Sequence, residues 1–161
     1  MNIFVLDRTP RVCARYHANQ HVVKMVLESA QMLCTVVNRT GGESPYKSTH
    51  SHHPCTLWTG RSLANWQWLR QLALALNDEY RYRFGRTRDH RSATVVMGLT
   101  PPDIENLGLT EFAQAMPEQY RVPGDAVSAY RRFYIGEKSA FAKWTRRRMP
   151  RWYREATSSQ D

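Results

Sequence analysis

Four residues, His17, His21, Lys24 and Glu28, stand at intervals of four, three and four in RYHANQHVVKMVLESAQ. At 100° per residue they fall in a narrow stripe on one helix face. The apolar residues Val22, Met25, Val26, Leu33 and Val36 fall elsewhere on the same helix. A carboxylate flanked by imidazoles and a cation can accept and return protons. Burial would raise the pKa of such a carboxyl and Lys24 would lower it, and the balance sets whether it works as acid or base. The same stripe also fits a solvated face carrying one Lys24–Glu28 pair, worth a few tenths of a kcal/mol.

A second group lies in THSHHPC, where His50, His52, His53 and Cys55 fall within six residues. Zinc ligation, with help from His17 or His21, is one reading. The segment lacks a CxxC half-site, and ligands this close in a loop cannot all face one ion, so no metal is assigned. Hydrogen bonding to a phosphate or a base edge fits the loop better. Cys55 could serve as a nucleophile, although a lone cysteine is more often simply packed in a core. A third pattern interleaves arginine with aromatic rings, in RYRFGRTR (81–88), YRRFY (130–134) and KWTRRRMPRWYR (143–154). The last contains six basic residues and no acidic one. Guanidinium groups hold phosphates bidentately and flat rings stack on exposed bases, so DNA is the favoured partner, with RNA left open.

These groups must be positioned by helices. Thr9 and Pro10 read as an N-cap and first helical residue, opening a long helix to about Val37 that GGESP (41–45) ends. NIFVL (2–6) reads as a short strand or a buried extended lead-in. Residues 46–58 read as a loop poor in helix signals. Ser62 caps a second long helix to about Phe84, closed by Gly85. Residues 86–108 read as an irregular connection, and TEFAQAM (110–116) as a short helix. Asp125 caps a third long helix ending at the arginine run 146–148 and Pro150. The expectation is an all-α fold of three long helices plus short helices and long loops, forming one domain over 1–161 with 155–161 as a flexible tail.

Composition sets the remaining bounds. The 161 residues suit one domain, and 42% apolar content can build a core. A formal charge of +9 is most simply balanced by a polyanionic partner, though it also serves solubility. Three cysteines, Cys13, Cys34 and Cys55, give no disulfide framework. MNIFVLDRTP has no signal-peptide pattern, and no apolar run approaches the ~18 residues of a membrane span. A cytoplasmic protein without a membrane partner is expected.

NQHVVKMVLE, His53, the aromatic-rich helix after it and the terminal RMPRWY together resemble the phage pyrimidine-dimer DNA glycosylase (endonuclease V) family. The resemblance runs over most of the chain in order and spacing, with thin identity. It implies an all-α enzyme that bends duplex DNA and flips a base. Gln20 and His21 match the family's Gln-His pair, Glu28 its catalytic glutamate, and Trp152 and Tyr153 the aromatic segment near the lesion. That family uses the α-amine of a processed N-terminal threonine as nucleophile. Here Asn2 follows Met1 and should hinder methionine removal, so the family nucleophile is expected to be missing.

A divergent branch is closer in pattern: MNIFVLD, HVVKM, LE-AQ-L, TH--HPC--W, EY-YR-G, F-QAMP-QY and AYR--Y resemble phage amino-acid:DNA transferases of thymidine hypermodification. This implies replacement of the phosphate of 5-phosphomethyl-deoxyuridine in DNA by a free amino acid such as glycine, in the cytoplasm of an infected bacterial host. The expected partners are double-stranded DNA carrying the modified pyrimidine and the free amino acid. The expected protein is a monomer without metal or organic cofactor. In that scheme Glu28 deprotonates the incoming ammonium, which His21 orients. Lys24 or Arg131 neutralises the departing phosphate, and His50 and His53 donate hydrogen bonds or a proton to it. Arg61 holds the amino-acid carboxylate. His17, Gln20, Cys55, Arg147, Arg148, Arg151, Trp152 and Tyr153 complete the substrate and DNA contacts. A glycosylase using another amine or water, or a DNA-binding protein without catalysis, remains the alternative.

Overall fold

The computed structural model describes residues 1–159, and every regular element in them is helical. There are seven α-helices: α1 Pro10–Tyr16, α2 Asn19–Arg39, α3 Pro54–Arg61, α4 Leu63–Phe84, α5 Arg91–Met97, α6 Ala126–Glu137 and α7 Arg151–Ser158. A 3₁₀ turn covers Glu118–Tyr120. The all-α expectation holds. None of these helices is long and apolar enough to cross a membrane.

The core forms where α4 lies across α2 and α1. Trp66, Leu69, Leu72 and Leu76 recur at helical spacing on α4, and each is at most 1% exposed. Burying such a side chain is worth about 1.5–3 kcal/mol, so this stripe is a main attachment of α4 to the core. Trp66 also donates its indole N–H to the Leu33 carbonyl at 3.2 Å, tying α4 to α2. α4 ends where expected, with Gly85 in the left-handed region at φ 60°. NIFVL is the buried extended lead-in: Ile3, Phe4, Val5 and Leu6 are all buried without joining a sheet.

The long first helix is in fact two. His17 and Ala18 take extended backbone angles, ψ 133° and 156°, between α1 and α2. Neither glycine nor proline marks the break. Its stabilisation comes from Arg83, fully buried on α4, which donates to the carbonyls of His17 at 2.7 Å and Arg15 at 2.8 Å. Those are the carbonyls that the broken ladder leaves open.

Other segments also depart from expectation. α3 and α5 arise in segments read as irregular, because His53 and His90 cap them by accepting N–H groups from Cys55 and Ser92. TEFAQAM is not helical: Asn65 accepts the Thr110 N–H and Tyr130 the Ala115 N–H, replacing the helical ladder. α6 starts at Asp125 as expected, the carboxylate accepting the Ser128 N–H at 3.0 Å, but ends at Glu137. The expected tail at 155–161 instead carries the last residues of α7, and 160–161 lie outside the described residues.

Candidate active site

The N-terminal segment and α2 meet at Glu28. Asn2 is pinned from several sides: its amide donates to the Ala115 carbonyl at 2.9 Å, and its carbonyl accepts the Tyr130 hydroxyl at 2.8 Å. The Cys55 thiol lies 3.6 Å from the same oxygen. Phe4, two residues on, stacks on the His21 ring at a centroid distance of 4.2 Å. With the segment held this way, the Met1 ammonium reaches the Glu28 carboxylate at 3.2 Å. The Glu28 side chain is 13% exposed, so the pair is largely but not wholly shielded from water.

His53 stands at the same place. Its Nδ1 accepts the Cys55 N–H at 3.1 Å, which leaves the ring proton of the neutral imidazole on Nε2, free to be donated. Partial burial lowers the His53 pKa, the nearby ammonium and His50 lower it further, and Glu28 acts in the opposite sense. His53 is therefore a neutral donor near pH 7. His50 is exposed beside it in a left-handed backbone conformation, φ 48°, with its Nδ1 2.8 Å from the Thr49 hydroxyl. An L-residue with a Cβ is strained in that region. Lys24, one turn before Glu28 on α2, is exposed and forms no ion pair among the described residues.

Glu28 and His53 thus come together with the Met1 ammonium, with His50 next to His53, and the sequence analysis did not place that ammonium at the site. Beside Glu28, Leu27 and Gln31 form one wall of an open groove of about 650 Å³, whose other wall includes Tyr46, Lys47, His90 and Arg91.

Other expected site residues are engaged elsewhere. The four-residue stripe does not exist, because the break at His17–Ala18 resets the helical phase. His17 is fully buried and donates Nδ1–H to the Cys13 carbonyl at 2.8 Å. His21 is buried between Phe4 and Tyr134, whose hydroxyl donates to its Nδ1 at 2.6 Å, and it cannot orient an incoming amine. Burial pushes their pKa values down, to about 4 for His17 and about 3 for His21. Cys55 is buried and burial pushes its thiol up to about 11, so it is a packed cysteine and a poor nucleophile.

Arg131 is bound to the Leu6 carbonyl and paired with Asp7, while Arg147 grips Glu79 with two nitrogens. Both guanidinium groups thus already have partners within the protein. Arg151 pairs with Glu155 on the surface. Tyr153 is buried against Trp144, and Trp152 lies between Tyr16, Tyr134 and Arg131. Besides Lys24, the expected site residues Gln20, Arg61 and Arg148 remain exposed without a hydrogen-bond or ion-pair partner among the described residues, and Arg61 lies in a different cleft. No group of three His, Cys, Asp or Glu side chains there could hold a metal ion. Comparison of the chain with protein-family models, curated proteins and solved structures returns no match.

Proposed function

We propose that this protein is an enzyme acting on a base in DNA through the carboxylate of Glu28, and that it transfers a free amino acid to a 5-phosphomethyl-deoxyuridine. The observation that carries the proposal is the 3.2 Å contact between Glu28 and a primary ammonium in a partly shielded site, with a neutral imidazole donor at hand. A carboxylate that seats one ammonium can seat and deprotonate another. The amine nitrogen forms its bond to the 5-methylene carbon as the carbon–oxygen bond to phosphate breaks. The phosphate leaves with the electron pair, and the lost proton passes to Glu28. Nε2–H of His53 donates to the leaving oxygen, and Lys24 offsets its charge. Arg148, exposed in the arginine-rich segment, supports binding of the DNA backbone.

The test is incubation with phosphomethyluracil-containing duplex DNA and each amino acid in turn, followed by digestion and nucleoside mass spectrometry. An aminoacyl-methyl nucleoside should appear with the native chain and disappear with Glu28→Gln. Unchanged DNA with all amino acids would overturn the reading.

The same contact favours a second reading. An α-amine held by a carboxylate is the arrangement for Schiff-base attack on a deoxyribose C1′, in a glycosylase or lyase. Borohydride reduction separates the two: a covalent protein–DNA adduct through Met1 supports the second reading and counts against the first.

A further inference from the structure

Away from Glu28, α2, α3 and the segment around Glu111–Ala113 enclose a cleft of about 600 Å³. Its apolar lining is Val36, Leu57, Trp58 and Ala113. Gly60 lets α3 settle close on α2, since a Cβ there would lie 3.3 Å from a Val36 methyl. Three charged side chains line the same cleft: Arg39, Arg61 and Glu111. Arg39 spends one nitrogen on the Ser51 carbonyl at 2.8 Å. Arg61 and Glu111 form no hydrogen bond or ion pair among the described residues, although opposite charges share one cavity. Thr56, also in the lining and 1% exposed, has a buried hydroxyl with no partner.

An unpaired cation and an unpaired anion set around an apolar lining suit a ligand that carries both charges. A phosphate would leave Glu111 without a partner, and a purely apolar ligand would leave both charges unused. We propose that the cleft binds a small zwitterion of the α-amino-acid class, with its carboxylate on Arg61, its ammonium on Glu111 and an apolar side chain against Leu57 and Trp58. Val36 is eight residues from Glu28 on α2, about 12 Å along the axis, so the cleft is a second site and not the point of attack. α3 joins the two: Leu57 and Trp58 line the cleft, while His53 caps the same helix beside Glu28. Occupancy of the cleft does not depend on the reaction proposed above.

The experiment is calorimetric titration of the full chain with L-leucine, and with 4-methylpentanoate and 3-methylbutylamine, which each lack one charge. Leucine should bind saturably, and each analogue should bind about tenfold or more weakly. Arg61→Ala should erase the advantage of leucine over the amine, and Glu111→Gln its advantage over the acid. Both positions are exposed, so both variants should fold. Shifts of the Trp58 indole resonance should locate the ligand in the cleft. Absence of leucine saturation below about 10 mM would overturn the proposal. Equal binding of leucine, 4-methylpentanoate and inorganic phosphate would overturn it as well, by showing a site for anions alone.

Discussion

Glu28 and Glu79 are both glutamates on long helices facing cations, yet they are held in opposite ways. Glu79, on α4, has a side chain only 6% exposed and accepts from two guanidinium groups. Arg83 donates Nε and Nη2 to Oε1, and Arg147 donates Nε to Oε1 and Nη2 to Oε2 at 3.0 and 2.8 Å. Burial would raise its pKa, but the Arg147 and Arg83 bonds outweigh burial and hold it below the usual carboxylate range. Burial also pulls the Arg83 pKa down while Glu79 holds it up, so each charge depends on the other. Glu28 has a single ammonium contact and retains lone pairs and some access to water. A carboxylate with every acceptor filled holds a fold together. One with acceptors to spare can take a proton during a reaction.

The comparison breaks most sharply at Glu28. Glu28→Gln keeps shape and hydrogen bonding but removes the base, so turnover should fall on the order of 10²–10⁴-fold. Its stability should also fall, since the Met1 ammonium loses its counter-ion, but by less than in a Glu79 variant, because Glu28 holds one cation instead of two and keeps some access to water. Nucleoside mass spectrometry and a melting curve on the same preparation check both halves. Glu79→Gln should behave in reverse. It leaves Arg83 charged and buried without a counter-ion, a change that costs about 3–5 kcal/mol. Turnover per folded molecule should stay near native. A Glu28→Gln chain with full activity, or a Glu79→Gln chain of native stability, would end the distinction.

Acid should strike the structural region next. His17 and His21 are buried neutral, with pKa values pushed down to about 4 and about 3 from an unfolded value of 6.5. The unfolded chain takes up their protons first, so their stabilisation is complete above about pH 6.5. It is lost as pH falls from there toward pH 4 for His17 and pH 3 for His21. Each contributes a slope of about 1.4 kcal/mol per pH unit inside its window. Urea unfolding between pH 7 and pH 4 measures this. His21→Phe, which keeps the stack on Phe4, should flatten the curve, and an unchanged slope would show that His21 is not buried neutral.

These two regions also mark what the sequence could tell. The stripe of α4, its Gly85 stop and the Asp125 cap were legible because helical periodicity and standard capping residues are local signals. Glu28 and His53 were legible as chemistry-bearing types. The break at His17–Ala18 was not, because it is stabilised by Arg83, which lies far along the chain. α3 and α5 were missed for a related reason. Their caps are histidines accepting through Nδ1, outside the Ser, Thr, Asp and Asn set that signals a helix start. The same capping bond sets the orientation of His53, so one missed helix was also a missed piece of the site. Arg147 shows the converse: its type and its neighbours suggested phosphate, and only the fold delivers Glu79 to it.

The smallest expected effects separate Arg147 from Arg148, adjacent residues of one type. Arg147→Lys cannot reproduce the two-nitrogen grip on Glu79, and should cost about 1–2 kcal/mol of stability. It should leave DNA affinity and its salt dependence unchanged, because that charge is already neutralised inside the protein. Arg148 is exposed and has no ion-pair partner among the described residues, so Arg148→Ala should leave the melting curve in place. It should instead lower the slope of log affinity against log salt by about one, the signature of a lost phosphate contact. The pair of variants tests whether partner occupancy, and not residue type, divides structural from functional charge. Equal salt slopes for the two variants would show that it does not, and would remove the same ground for treating Glu28 differently from Glu79.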